Sequence, residues 1–374
     1  MKWVYYAYFT NIIIILLMEV VRRPQTIAIN DRGLIKEYRY SRALSFLFLI
    51  PITVVSASRT HFIDTGDYIL MYKAVGADFA SIDFEFFGNV EKGYLYFTAF
   101  LNRITDDPQL LFIVSTILIY VCFIIFAYDN SEDLPFSLLL FMCLEWIGTM
   151  NGMRQYMAAS IVYIFWNYWS KSKQKWYNHL IMIAGIVLAM QFHKSAIICI
   201  LVYFLARGNF FNLVMKILGL GTFLMFLFPS VYRYVFEVLL ADDTYSSYET
   251  VSQGMGIMRF LVICVPIGLC IIYANVNKER VQDKCDINNW MMNMMLFSFY
   301  CSVLALKMVF FSRLGGYFGW YVIVMLPALI KKSFRPNVAK IIKMIAIIMY
   351  IIFFLYQMKA LGGYMEKFAV CFDK

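Results

Sequence analysis

Three short polar clusters interrupt an otherwise bilayer-soluble chain: Asp64-Thr65-Gly66-Asp67-Tyr68, Asn151-Gly152-Met153-Arg154-Gln155 and Gln191-Phe192-His193-Lys194-Ser195. His193 is one of three histidines, and an imidazole that titrates near neutrality suits proton removal from a hydroxyl. Asp64, Asp67 and Glu91 are alternative bases or sugar binders. Arg154 carries a permanent charge whose planar fork matches phosphate oxygens, and Asn151 is a candidate N-cap for the helix that holds it. The chemistry these types can do together is group transfer: a base takes a proton from an acceptor hydroxyl while a cation receives a departing anion. Tyr68, Tyr94 and Trp320 could stack on sugar rings, although aromatic residues are also ordinary at interface depth. Asp64-x-x-Asp67 has no second ligand set at metal spacing, so no metal is expected.

The elements that position these residues are membrane helices. Of 374 residues, 62% are hydrophobic, 18% aromatic and only 15% charged, which excludes an ordinary soluble domain. Apolar runs recur at spanning length, and backbone groups in lipid must be satisfied internally, so the runs read as helices. Period-two alternation of a membrane barrel is absent. The expected fold is an all-α polytopic membrane protein, one integral domain over 1–374. About twelve helices are expected, near 3–21, 43–58, 109–127, 135–150, 153–169, 179–192, 194–206, 212–230, 257–275, 289–308, 316–331 and 341–358. The eight cysteines are isolated, and the first apolar stretch reads as a retained helix rather than a removed signal.

Basic residues orient this set. Arg22, Arg23, Arg32, Lys36, Arg39 and Arg42 lie in 22–42; Lys171, Lys173 and Lys175, then Lys278, Arg280 and Lys284, then Lys331, Lys332, Arg335, Lys340 and Lys343 mark three later connections. The net charge of +9 is explained by positive-inside topology and gives no reason to invoke nucleic acid. These connections become cytoplasmic, and both termini and two sizeable loops, 59–108 and 231–256, become extracytoplasmic. The second loop carries Asp242, Asp243, Tyr245, Tyr248 and Glu249. The acidic connection 128–134 runs against the pattern.

Under this topology Arg59, Arg154, His193, Lys194, Arg259 and Arg313 stand at outer helix ends. Helices starting near 153, 194, 257 and 316 present their N-termini outward, where a cation opposes the dipole by about 0.3–1 kcal/mol. A single arginine there ordinarily snorkels to headgroups. Several at once point to a shared anion, for which a lipid-linked diphosphate fits. Gly254, Gly256, Gly315 and Gly316 are expected to let backbone approach such a ligand.

The chain resembles the EpsG-like, Wzy-type bacterial polysaccharide polymerases. The resemblance rests on Asp64-Thr65-x-x-Tyr68, Glu91-x-Gly93-Tyr94, Asn151-Gly152-x-Arg154-Gln155, His193-x-Ser195 and Arg313-x-x-x-Tyr317, in order along about 5–360. Arg313-Leu314-Gly315-Gly316-Tyr317 is richer in glycine than the family pattern. The resemblance implies transfer of a growing glycan from undecaprenyl diphosphate to an incoming undecaprenyl-diphosphate-linked oligosaccharide at the outer face of the cytoplasmic membrane. It implies a GT-C-like architecture, no cofactor, and as partners lipid-linked oligosaccharides, membrane lipid, a flippase and a chain-length regulator. The residues themselves suggest the roles: catalysis by His193, Arg154, Asp64 and Glu91, and diphosphate binding by Arg154, Arg259, Arg313 and Arg59. Sugar binding falls to Asp67, Tyr68, Tyr94, Asn151, Gln155 and Tyr317. A flippase of the same lipid-linked units and a membrane acyltransferase are the competing readings.

Overall fold

The computed structural model describes residues 1–29, 35–88, 90–171, 176–228, 256–283 and 286–373. Outside these lie Arg32, Lys173, Lys175, Lys284, Gly254 and the loop residues Asp242, Asp243, Tyr245, Tyr248 and Glu249. The fold is helical, with two small antiparallel strand pairs among the described residues. Helices occupy each of the twelve expected stretches. Four of them are long and apolar enough to cross a membrane: Lys2–Val20 (α1), Gln109–Asn130 (α6), Ile257–Val276 and Pro336–Ala360. The pair Phe310–Gly316 and Gly319–Ser333, bent by 59°, makes a fifth if it is one broken span. The other apolar stretches form shorter helices, such as Trp176–Met190 (α10) with 15 residues. At about 1.5 Å per residue such a helix falls short of a hydrocarbon core of about 30 Å.

Packing divides the chain into two compact units, Met1–Ile197 with Ile347–Lys374, and Ile198–Ala346. In the first, α1, Leu49–Ala57 (α3), α6 and Leu134–Leu144 (α7) pack together with Met153–Lys171 (α9) and α10. Its interior is aromatic. Trp146, Trp166 and Trp169 are fully buried, and Phe123 stacks on Phe141 at 3.9 Å. In the second, Ile287–Ala305 is buried along nearly its whole length. Gly315 packs against it: an added Cβ would lie 3.1 Å from Cys301 Cβ, and the Ser298 hydroxyl donates to Gly315 O at 3.0 Å. That glycine serves a helix–helix contact and does not open backbone to a ligand.

Contacts sort the helix ends of the first unit. At one end Tyr128 donates to Tyr40 O at 3.4 Å, Arg42 lies 5.6 Å from the Tyr128 ring, and Asp129 pairs with Lys171 and accepts from Asn167. The acidic connection therefore shares an end with the basic hairpin Arg23–Ile29 (β1) and Ile35–Arg39 (β2), its charge matched by Lys171. At the other end lie Arg59–His61 (β3), Thr65–Val75 (α4) and Lys92–Asn102 (α5). The C-terminal strand Ala369–Val370 (β4) pairs antiparallel with β3, Cys371 N donates to Ser58 O at 2.9 Å, and Asp373 accepts from Trp3 Nε1 at 2.8 Å. Both termini thus meet where β3 leads into α4.

Candidate active site

Glu91 is the hub. It is the N-cap residue of α5, yet its carboxylate makes no cap bond and reaches across the fold instead. Oε2 accepts from Arg154 Nη1 at 2.7 Å, and Oε1 accepts from the backbone N of Lys194 at 2.7 Å. His193 Nδ1 stands 3.9 Å from Oε1 and 3.0 Å from Ser195 Oγ. One buried carboxylate therefore joins a helix start at 154 to the turn at 193–195. Losing a helix between them would have put these residues at opposite ends. They share one.

Glycine makes this reach attainable. Tyr94 N donates to Gln191 O at 2.9 Å, so the first turn of α5 rests on the last turn of α10. A Cβ on Gly93 would lie 2.4 Å from Gln191 Cβ and 2.8 Å from Gln191 O. The spacing Glu91-x-Gly93-Tyr94 is thus a docking device: the glycine permits close approach, and the carboxylate two residues earlier meets the turn beyond.

Asp64 and Asn151 form the second part. Asp64 is the N-cap residue of α4, preceded by Ile63 at φ 34°, a conformation β-branched residues avoid. With its amide nitrogen turned toward Asp64, Asn151 donates to both carboxylate oxygens at 3.2 and 2.9 Å. Asn151 is not the N-cap expected for α9. It ends the short helix Trp146–Asn151 (α8), and Gly152 makes the break before α9. Replacing Asn151 with aspartate would face two carboxylates at that distance, and a loss of about 1–3 kcal/mol is expected, read as a lowered thermal midpoint of the detergent-solubilised protein. Asn151→Ala should lower it less.

Tyr68 and Tyr94 close the interior side. The Tyr68 hydroxyl hydrogen-bonds Arg154; the Tyr94 ring lies 5.7 Å from the guanidinium carbon and edge-on to Tyr68 at 6.5 Å. Burial pushes both phenols upward, with the Arg154 charge partly offsetting this, so both remain neutral. Behind them Arg59 is 1% exposed, its guanidinium donating to Ser56 O and to Met153 Sδ at 3.4 Å and lying 4.3 Å from the Phe112 ring. Burial lowers its pKa to about 10, leaving it charged at neutral pH. Among the described residues no carboxylate pairs with it. Arg59, expected at an outer helix end as a diphosphate ligand, is instead buried against Ser56, Met153 and Phe112.

Asp67, Gln155, Arg259, Arg313 and Tyr317 complete the candidate set. Asp67 is exposed on the first turn of α4, and Gln155 is half-buried beside Arg154. Arg259 and Arg313 are exposed and Tyr317 is 1% exposed, all in the second unit. Arg313 belongs to Phe310–Gly316, before the bend at 317–318. Glu145 is a buried carboxylate that the sequence reading did not single out. Glu145 accepts from the Tyr156 hydroxyl, and Gly148 gives that ring room, with a Cβ position 2.7 Å from the hydroxyl oxygen. The available signal was a lone acid inside the apolar stretch 134–151.

Residues 42–369 match the model of the EpsG family. The chain belongs to the EpsG family. No curated protein and no solved structure matches it. Membership brings a polysaccharide-polymerase type of function to a multi-pass membrane chain. It also gives the cluster a chemical context, since four of the five EpsG-like motifs (those at 64–68, 91–94, 151–155 and 193–195) contribute residues to it.

Proposed function

We propose that the chain is a glycosyltransferase that polymerises lipid-linked repeat units. It would move a growing glycan from undecaprenyl diphosphate to a hydroxyl at the non-reducing end of an incoming undecaprenyl-diphosphate-linked oligosaccharide. The whole chain acts as one integral domain of the bacterial cytoplasmic membrane, with GT-C-like architecture and this cluster facing outward. The observation that carries the proposal is the Glu91 hub, which holds a permanent cation and an imidazole on either side of one carboxylate.

In the reaction the bond from the sugar C1 to the diphosphate oxygen breaks, and its electron pair leaves with the diphosphate. The acceptor oxygen forms the new bond to C1 and loses its proton to His193. Arg154 faces the departing charge: its side chain is 25% exposed, and a guanidinium has more N–H donors than Glu91 and Tyr68 use. In the base-competent tautomer His193 Nδ1–H donates to Ser195 Oγ, and the Glu91 charge favours the imidazolium that forms. Asp64, held by Asn151, and Asp67, Tyr68, Tyr94 and Gln155 position sugars. Arg59 adds fixed positive potential from below, and Arg259, Arg313 and Tyr317 are proposed to extend diphosphate and sugar binding. A flippase and a chain-length regulator are its proposed partners.

The test is purified protein in proteoliposomes with an undecaprenyl-diphosphate-linked oligosaccharide of the producing cell. A ladder of products with matching release of undecaprenyl diphosphate is expected. Transport of the unit without a ladder would establish a flippase instead. In the same assay His193→Gln should cut turnover about 10²–10⁴-fold. A variant that keeps wild-type turnover would move the base role to Asp64 or Glu91.

A further inference from the structure

We propose that the second unit binds an anionic phospholipid in a pocket at its basic end. The pocket is an open cleft of about 460 Å³ walled by Asn209, Phe210, Phe211, Lys216, Ile271 and Lys278. That volume suits a headgroup with the first part of its acyl chains.

The wall is built, not incidental. Asn293, fully buried, donates to Ala206 O at 2.8 Å and Asn209 O at 3.0 Å and accepts from Phe211 N at 2.9 Å. Phe210 N donates to Val281 O at 3.0 Å, and Asn212 Nδ2 donates to Leu205 O at 3.1 Å and Arg207 O at 3.0 Å. These bonds hold Phe211 at φ 53°, where a bulky residue is rarely found. Such conformations persist where surrounding structure enforces them, often at binding sites.

Two ammonium groups line the pocket, and among the described residues neither Lys216 nor Lys278 pairs with a carboxylate. Lys216 lies in the first turn of Leu213–Leu227 (α12), where a cation opposes the helix dipole, so the helix itself gains nothing from it. Its Nζ stands 5.5 Å from the Phe211 ring. Beside the pocket Leu213, Ile217, Leu220 and Ile271 are exposed, a surface suited to acyl chains. Asn277 Nδ2 donates to Lys332 O at 3.3 Å, which gathers Lys278, Arg280, Lys331 and Lys332 at this end. Positive-inside topology makes it the cytoplasmic end, where the leaflet is anionic and basic pockets between helices recruit charged headgroups. A free phosphate shares the charge but has no use for the apolar wall.

The test reads lipid retention, not activity, so it stands or falls apart from the polymerase reading. The full chain is placed in phosphatidylcholine nanodiscs containing a minor share of phosphatidylglycerol, and lipids that survive delipidation are counted by native mass spectrometry. Wild type should retain phosphatidylglycerol. Lys216→Gln with Lys278→Gln should weaken retention about tenfold or more, and the corresponding double arginine variant should keep it. Ile271→Trp, which narrows the pocket without altering charge, should also weaken retention. Lys340→Gln with Lys343→Gln removes the same charge elsewhere and should change nothing. Equal retention in the pocket variants, equal loss in the control pair, or displacement by millimolar inorganic phosphate would each overturn the assignment.

Discussion

Replacing Arg154 with alanine is expected to lower polymer formation at least about 100-fold, the scale for removing a cationic partner of a developing anion. Two effects are mixed in that loss and can be separated. Arg154 is the permanently charged partner of Glu91, whose side chain is only 7% exposed, so the alanine variant leaves a buried carboxylate with the Lys194 N–H and the His193 ring 3.9 Å away but no fixed cation. Breaking a buried pair from one side costs about 3–5 kcal/mol, less here because the arginine is partly open to solvent. A drop in thermal midpoint is therefore expected with Arg154→Ala. Adding Glu91→Gln should recover much of the midpoint, since no unpaired charge remains. It should not recover polymer, because the leaving diphosphate still lacks its cation. Arg154→Lys should fall between, keeping charge and losing the planar fork. Full activity in both single variants at unchanged membrane levels would sink the leaving-group role.

How much of this was legible beforehand follows from the range of each interaction. Hydropathy is local, so the twelve apolar stretches could be placed as helices from composition alone, whereas α4 and α5, inside the expected loop 59–108, could not. Whether a stretch crosses a membrane depends on unbroken length, and breaks such as Phe48, Glu145, Gly152 and the bend at 317–318 leave little trace in hydropathy. The motif residues were legible as chemistry, but their partnership was not. Glu91 lies 63 residues from Arg154 and 103 from Lys194, and no periodicity records such contacts. Arg59 shows the limit from the other direction. At a helix end it reads as an exposed anion binder, yet Phe112, Met153 and the β4 strand from the far C-terminus bury it. Only the assembled fold distinguishes an exposed cation from one that packing covers.

Gly93→Ala should be nearly as damaging as Arg154→Ala while leaving every charged residue in place. The new methyl would meet Gln191 Cβ at 2.4 Å and its carbonyl oxygen at 2.8 Å, neither of them the loose end of a side chain. The first turn of α5 must move off α10, stretching the Tyr94 N to Gln191 O bond and pulling Glu91 from the Lys194 amide. Overpacking of this kind costs about 1–3 kcal/mol, so the protein should still fold. Catalysis suffers more, because a shift of about 1 Å in a positioned group can cost on the order of 10²-fold. Loss of polymer should therefore far exceed loss of stability, a split that a merely structural glycine would not produce. Gln191→Gly in the Gly93→Ala background removes the closest contact but leaves the carbonyl, and partial recovery is expected. Activity of Gly93→Ala within twofold of wild type would mean that the α5–α10 contact does not set the position of Glu91, and the hub would lose its role in the reaction.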